Sequence, residues 1–167
     1  MLRMESDGLS KLRRAAAEDV AAIVDMLQMK RLRYANYQPT FWRVAPDAVD
    51  KQRAYLREVL ERPNTVAFVA ESADAILTGV AIAQVVPAPA VYAPGGPNCE
   101  IDDYWVRDEE TWENVGQALL AEVAKEAKET FGAVQAVVVC AQRDESKRAM
   151  LRAAGLTVAS EWWTKPL

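Results

Sequence analysis

A chain of 167 residues, 51% apolar and 26% charged, can build one hydrophobic core; it is too apolar for a disordered chain, and no apolar run is long enough to cross a bilayer. Its net charge of −4 is opposite to that of a general nucleic-acid binder, and having no histidine excludes imidazole acid–base chemistry and histidine-ligated metals. Two cysteines, Cys99 and Cys140, are too few for a disulfide framework or a four-cysteine metal site; the expectation is a reduced, cytoplasmic chain with no metal and no membrane or nucleic-acid partner.

Residues 1–10 are polar and aperiodic and predict a flexible N-terminal arm ahead of one domain over residues 11–167. Residues 11–16 predict a short edge strand. Glu18 and Asp19 then suit the first turn of a helix, and Val20, Ile23, Val24 and Leu27 recur at helical spacing behind them. Tyr34, Tyr37 and Phe41 fall near one helical face, which reads either as core packing or as the wall of a binding pocket. Pro46-Asp47 opens a second helix with Val49, Leu56, Val59 and Leu60 on one side, and Pro63-Asn64 ends it.

Residues 65–70 (TVAFVA) and 75–86 (AILTGVAIAQVV) predict two strands of a hairpin. Residues 87–97, with four prolines, two glycines and Tyr92, predict a long loop of the kind that borders sites. Residues 99–106 (CEIDDYWV) predict a strand carrying three carboxylates. Residues 113–131 predict the clearest helix, capped by Gly132; residues 133–140 (AVQAVVVC) predict an apolar strand at the centre of a sheet covered on both faces. Asp144 opens a last helix ending at Gly155, and residues 156–164 predict a final strand with Trp162 and Trp163 on opposite faces, one of them available to a homodimer interface. The order predicts a single α/β domain, a mixed, mostly antiparallel sheet with helices on both faces.

The informative junction is strand, short loop, helix: CEIDDYWV, RDEETWEN, VGQALLAEVAKEA. A loop feeding a helix start leaves backbone amides unpaired in a field that favours anions, and Gly116 in the first turn permits close approach of a ligand or of a neighbouring strand. The spacing suits a pyrophosphate on the amides of Trp112, Glu113, Asn114, Val115, Gly116 and Gln117, although Asp108, Glu109, Glu110 and Glu113 outnumber Arg107 there.

With this element order, IDDYWV, TWENVGQALL and DESKRAMLRAAGL, the chain resembles the GNAT superfamily of N-acetyltransferases over roughly residues 12–164. IDDYWV resembles the family's fourth strand, TWENVGQALL its pyrophosphate loop, and DESKRAMLRAAGL its later helix. The chain departs from the family pattern at Thr111, Asn114, Asp144 and Leu151, the last standing where the family often has a catalytic tyrosine.

The resemblance implies acetyl-CoA as donor and direct transfer to an amine of a small molecule or peptide. It places pantetheine along the backbone of Trp105 and Val106, and assigns Asp144 and Lys147 to positions lining the coenzyme. It makes Asp102 the general base, with Glu100 sharing its face by two-residue alternation, and gives Tyr34, Tyr37 and Tyr92 to the acceptor pocket. The departures keep open a non-catalytic acyl-CoA-binding or regulatory module, or a fold serving only in assembly.

Overall fold

The computed structural model describes residues 10–167, so the expected arm over residues 1–10 lies outside the described residues except for Ser10. Strand β1 is Lys11–Arg14, followed by a 3-10 turn at Ala17–Asp19 and helix α1, Val20–Tyr37. Helix α2 is Ala48–Val59; β2 is Thr65–Glu71, β3 Leu77–Val86 and β4 Asn98–Val106. A second 3-10 turn at Glu109–Glu113 leads into α3, Val115–Phe131, then β5, Gln135–Val138, and α4, Glu145–Ala153.

The five strands lie in sequence order in one sheet, antiparallel throughout except for the parallel β4–β5 pair. Successive residues of β4 show which helix covers which face: Asp103 meets Lys30 of α1, and Tyr104 reaches the carbonyl of Gly116 in α3. Helices α1 and α3 therefore sit on opposite faces. Their stripes, Val20, Ile23, Val24 and Leu27 on one and Leu119, Val123 and Ala127 on the other, are all at most 4% exposed. Gly132 ends α3 in the left-handed conformation (φ 69°), where a side chain would be strained.

Two expectations fail at the end of the chain. The strand predicted over residues 133–140 is four residues long and forms the outer edge of the sheet, not its centre; Val134, Val137 and Val139 are 40–47% exposed. The strand predicted over residues 156–164 does not form. A strand persists only where a neighbouring edge takes its backbone groups, and here Trp162 instead rests on Phe41, ring centroids 5.8 Å apart. The helix predicted to start at Glu113 begins at Val115, because a 3-10 turn capped by the Asp108 side chain precedes it.

Candidate active site

Strand β4 changes character halfway along. Asn98, Cys99, Glu100 and Ile101 pair with Gln135 to Val138 of β5, and Val139 adds a last bond from its N–H to the Ile101 carbonyl (3.1 Å). Beyond that point the two strands part. On its other side, β4 pairs Ile101 with Ala83 and Asp103 with Ile82, so Asp102 is the extra residue of a β-bulge. Bulges re-aim a side chain and are common beside active sites. Asp102 and Glu100 are both exposed on either side of buried Ile101, as alternation predicts.

The bulge sets Asp103 on the face of Glu100, since their partners on β3, Ile82 and Gln84, are two residues apart, and there it enters a polar cluster. Lys30 Nζ donates to the Asp102 carbonyl (2.9 Å) and to Asp103 Oδ1 (3.3 Å); Gln52 Nε2 donates to Asp103 Oδ2 (3.0 Å); Arg31 Nη1 donates to Gln52 Oε1 (2.5 Å). Burial lowers the pKa of Arg31, partly opposed by Asp103; burial raises that of Tyr55, with Asp103 and Asp102 adding to the effect. No motif marks Lys30, although it lies in register with Val20, Ile23, Leu27 and Tyr34, and a lysine on an apolar helical stripe signals a buried partner.

The space where β4 and β5 part is filled by the chain's own side chains. Lys147 is fully buried. Its Nζ donates to the Tyr104 carbonyl on β4 (3.2 Å) and to the Val139 carbonyl beyond β5 (2.8 Å), and it lies 4.8 Å from the Tyr104 ring centroid and 5.5 Å from that of Trp112. Burial pushes the Lys147 ammonium down to about 8; Lys30 adds to that, while Cys140, Asp144 and Asp102 oppose it. Trp112 is 1% exposed and packs edge-on against Tyr104 and Trp105, at 5.0 and 6.1 Å.

Trp112 also covers Gly116. A Cβ there would stand 2.5 Å from the Trp112 ring, so the glycine serves this indole rather than an open approach, while its carbonyl accepts from Tyr104 Oη (2.5 Å). Asn114 caps α3 by accepting from the Val115 amide (2.6 Å), and Glu113, Asn114 and Gln117 are exposed. Between this turn and α4 runs a cleft of about 360 Å³, lined by Glu109, Glu110, Glu113 and Glu145 with Trp112, Ser146 and Ala149.

The remaining predicted residues divide between core and surface. Trp105 and Val106 are buried, and Arg33 covers the Trp105 ring at 5.1 Å. Tyr34 is no pocket wall: it is 2% exposed and donates to Asp144 Oδ2 (2.9 Å), its hydroxyl held protonated by burial and by Asp144. Asp144 is itself buried and caps α4, accepting from the Lys147 amide (3.4 Å). Tyr37 is half-buried under Arg143, and Tyr92 is 71% exposed on the long loop. Burial pushes the thiols of Cys99 and Cys140 up to about 11, which makes both poor nucleophiles at neutral pH.

A diphosphate and a pantetheine fit this frame only in part. The parted strands and the bulge supply the backbone slot that an extended acyl carrier needs. As placed, Lys147 and Trp112 fill that slot, and four glutamates line the cleft where a diphosphate would approach α3.

No curated protein sequence matches the chain. Solved structures do. A tetramutant of the BH1408 protein from Bacillus halodurans superposes with a TM-score of 0.79 at 11% identity, over 94% of this chain and 99% of that one. A predicted acetyltransferase with acetyl-CoA from Clostridium acetobutylicum gives 0.72 at 16% identity, over 94% and 96%. An aminoglycoside antibiotic 6'-N-acetyltransferase from Acinetobacter baumannii gives 0.71 at 12% identity, over 95% and 99%. At such identities the likeness is one of fold. The model of the acetyltransferase (GNAT) family matches residues 27–155, from within α1 to the end of α4, and the chain belongs to that family.

Proposed function

We propose that the chain transfers the acetyl group of acetyl-CoA to an amine of a small molecule or a peptide, with Asp102 as general base. The observation that carries this is the bulge, which presents Asp102 outward at the point where β4 and β5 separate. Acetyl-CoA brings the activated acetyl thioester. The chain's part is to hold the acceptor and take a proton from its ammonium, since only the neutral amine is a nucleophile. Asp103 is engaged by Lys30 and Gln52, which leaves Asp102, with Glu100 beside it, to accept that proton. The reading requires Lys147 and Trp112 to withdraw from between the strands so that the carrier reaches the bulge. A reduced, cytoplasmic setting agrees with two free, buried or half-buried thiols; no helix among the described residues is long and apolar enough to cross a membrane.

A second reading, a non-catalytic GNAT-fold module, is favoured by the filled slot and the glutamate-lined cleft. Calorimetric titration with acetyl-CoA, followed by thiol release against a panel of amines, separates the two. The transferase reading expects binding and turnover, with Asp102→Asn lowering turnover at least ~100-fold without loss of coenzyme binding. Turnover by D102N with an unchanged pH profile removes Asp102 from the role; coenzyme binding without turnover leaves a non-catalytic acyl-CoA-binding module, and failure to bind leaves a fold serving only in assembly.

A further inference from the structure

Helix α1 buries a charge on its apolar side. Val20, Ile23, Leu27 and Tyr34 line the stripe that packs on the sheet, and Lys30 stands among them, 8% exposed. A methionine here would complete the stripe without desolvating a charge. An ammonium must be taken out of water, and it is kept inside only where partners hold it. Lys30 has two, and both belong to the same short stretch of β4: the Asp102 carbonyl at 2.9 Å and Asp103 Oδ1 at 3.3 Å.

Asp102 is the one residue of β4 that neither neighbouring strand pairs. Toward β3 the register passes from Ile101 with Ala83 to Asp103 with Ile82 and skips it; toward β5 the last bond is the one Val139 makes to the Ile101 carbonyl. In a paired strand the ladders fix the backbone, and the direction of each side chain follows. A bulged residue has lost that reference. For Asp102 the bond from Lys30 takes its place, across 72 residues of chain. Asp103 is tied a second time, by Gln52 Nε2 of α2 at 3.0 Å, and Gln52 is held in turn by Arg31 Nη1 of α1. Side chains of both helices thus grip the bulge, while Asp102 itself is left exposed.

We propose that Lys30 is a positioning residue for Asp102: it pins the bulged backbone so that the carboxylate is aimed where the acceptor amine must lose its proton. The proposal rests on the reading of Asp102 as general base. Lys30 takes no part in the chemistry, since its ammonium is spent on a carbonyl and on Asp103. A base contributes only when its oxygen lies within hydrogen-bond reach of the proton it takes, and a displacement of about 1 Å can cost ~100-fold in rate. A carboxylate on an untied bulge samples such displacements. A purely structural ion pair would need only the Asp103 side chain; the shorter of the two bonds is instead to the main chain of the base.

The test is a double-mutant cycle in turnover, read as thiol release at saturating acetyl-CoA with the best amine of the panel. Circular dichroism confirms the fold of each variant, and calorimetry its affinity for acetyl-CoA. Lys30→Met is expected to lower kcat about 10–100-fold, with the Kd and KM for acetyl-CoA unchanged. In a chain that already carries Asp102→Asn the same change is expected to cost nothing further, because no base is left to aim. Gln52→Ala, which loosens Asp103 and leaves Lys30 in place, is expected to give a smaller loss of kcat with the same dependence on Asp102, and it carries the cycle if Lys30→Met does not fold. The proposal is overturned if the losses from Lys30→Met and Asp102→Asn multiply, if kcat survives Lys30→Met, or if the loss lies in coenzyme affinity; each of these leaves Asp102 as the base. Full turnover by D102N, or none by the unaltered chain, defeats the transferase reading and this proposal with it.

Discussion

The two halves of β4 show how one strand serves as scaffold and as site. From Asn98 to Ile101 it is bonded on both sides, to β3 and to β5, and its connections are backbone ladders. From Asp102 to Val106 it keeps β3 but has lost β5, and side chains take over: Lys30 on the Asp102 carbonyl, Lys147 on the Tyr104 carbonyl, Trp112 across Tyr104 and Trp105. A ladder is set by chain topology and changes little with a single side chain. A strand satisfied by side chains can be altered residue by residue, and that is where chemistry is placed.

The strongest way to break this contrast is Trp112→Ala. It removes the indole that packs on Tyr104, Trp105 and Gly116, and is expected to cost about 3–5 kcal/mol in denaturant unfolding. Next is Lys30→Met, which leaves the Asp102 carbonyl and a largely buried Asp103 carboxylate short of a donor. About 1–3 kcal/mol is expected, with faster amide exchange confined to the second half of β4.

Lys147→Met tests the slot through pH. The folded-state pKa, about 8, lies below the ordinary 10.5, so between these values the unfolded chain binds more protons and stability rises with pH. The Lys147 contribution to that rise is at most about 1.4 kcal/mol per pH unit and is absent in K147M, as paired unfolding curves at pH 7 and above will show. Gln135→Ala, in the laddered half, removes only the bond from Gln135 Nε2 to Asn98 Oδ1 (2.7 Å) and should cost about 1 kcal/mol or less. A cost equal to that of Lys30→Met would erase the distinction between the halves.

Local signals located α1 to α4 and β1 to β4: helical spacing in α1, α2 and α3, Asp144 and Gly155 at the ends of α4, and runs of strand-forming residues bounded by turns in β2 and β3. The family was legible in the order of elements and in IDDYWV, TWENVGQALL and DESKRAMLRAAGL. Glu100 and Asp102 were assigned to one face by simple alternation; both are exposed, but the bulge, which spacing does not announce, also brings Asp103 to the face of Glu100.

What the sequence determined by itself, then, was everything decided within a few residues: which segments are helical, which are extended, where caps and turns fall, and the family to which that order belongs. Only the tertiary structure decided that Tyr34 and Lys147 are sealed inside, that Trp112 rather than a ligand covers Gly116, and that β5 is an edge strand while residues 156–164 stay unpaired. The reason is one of range. A helix satisfies its backbone within its own turn, whereas a strand, a buried lysine or a capped carboxylate depends on partners tens of residues away, and local spacing carries no record of them.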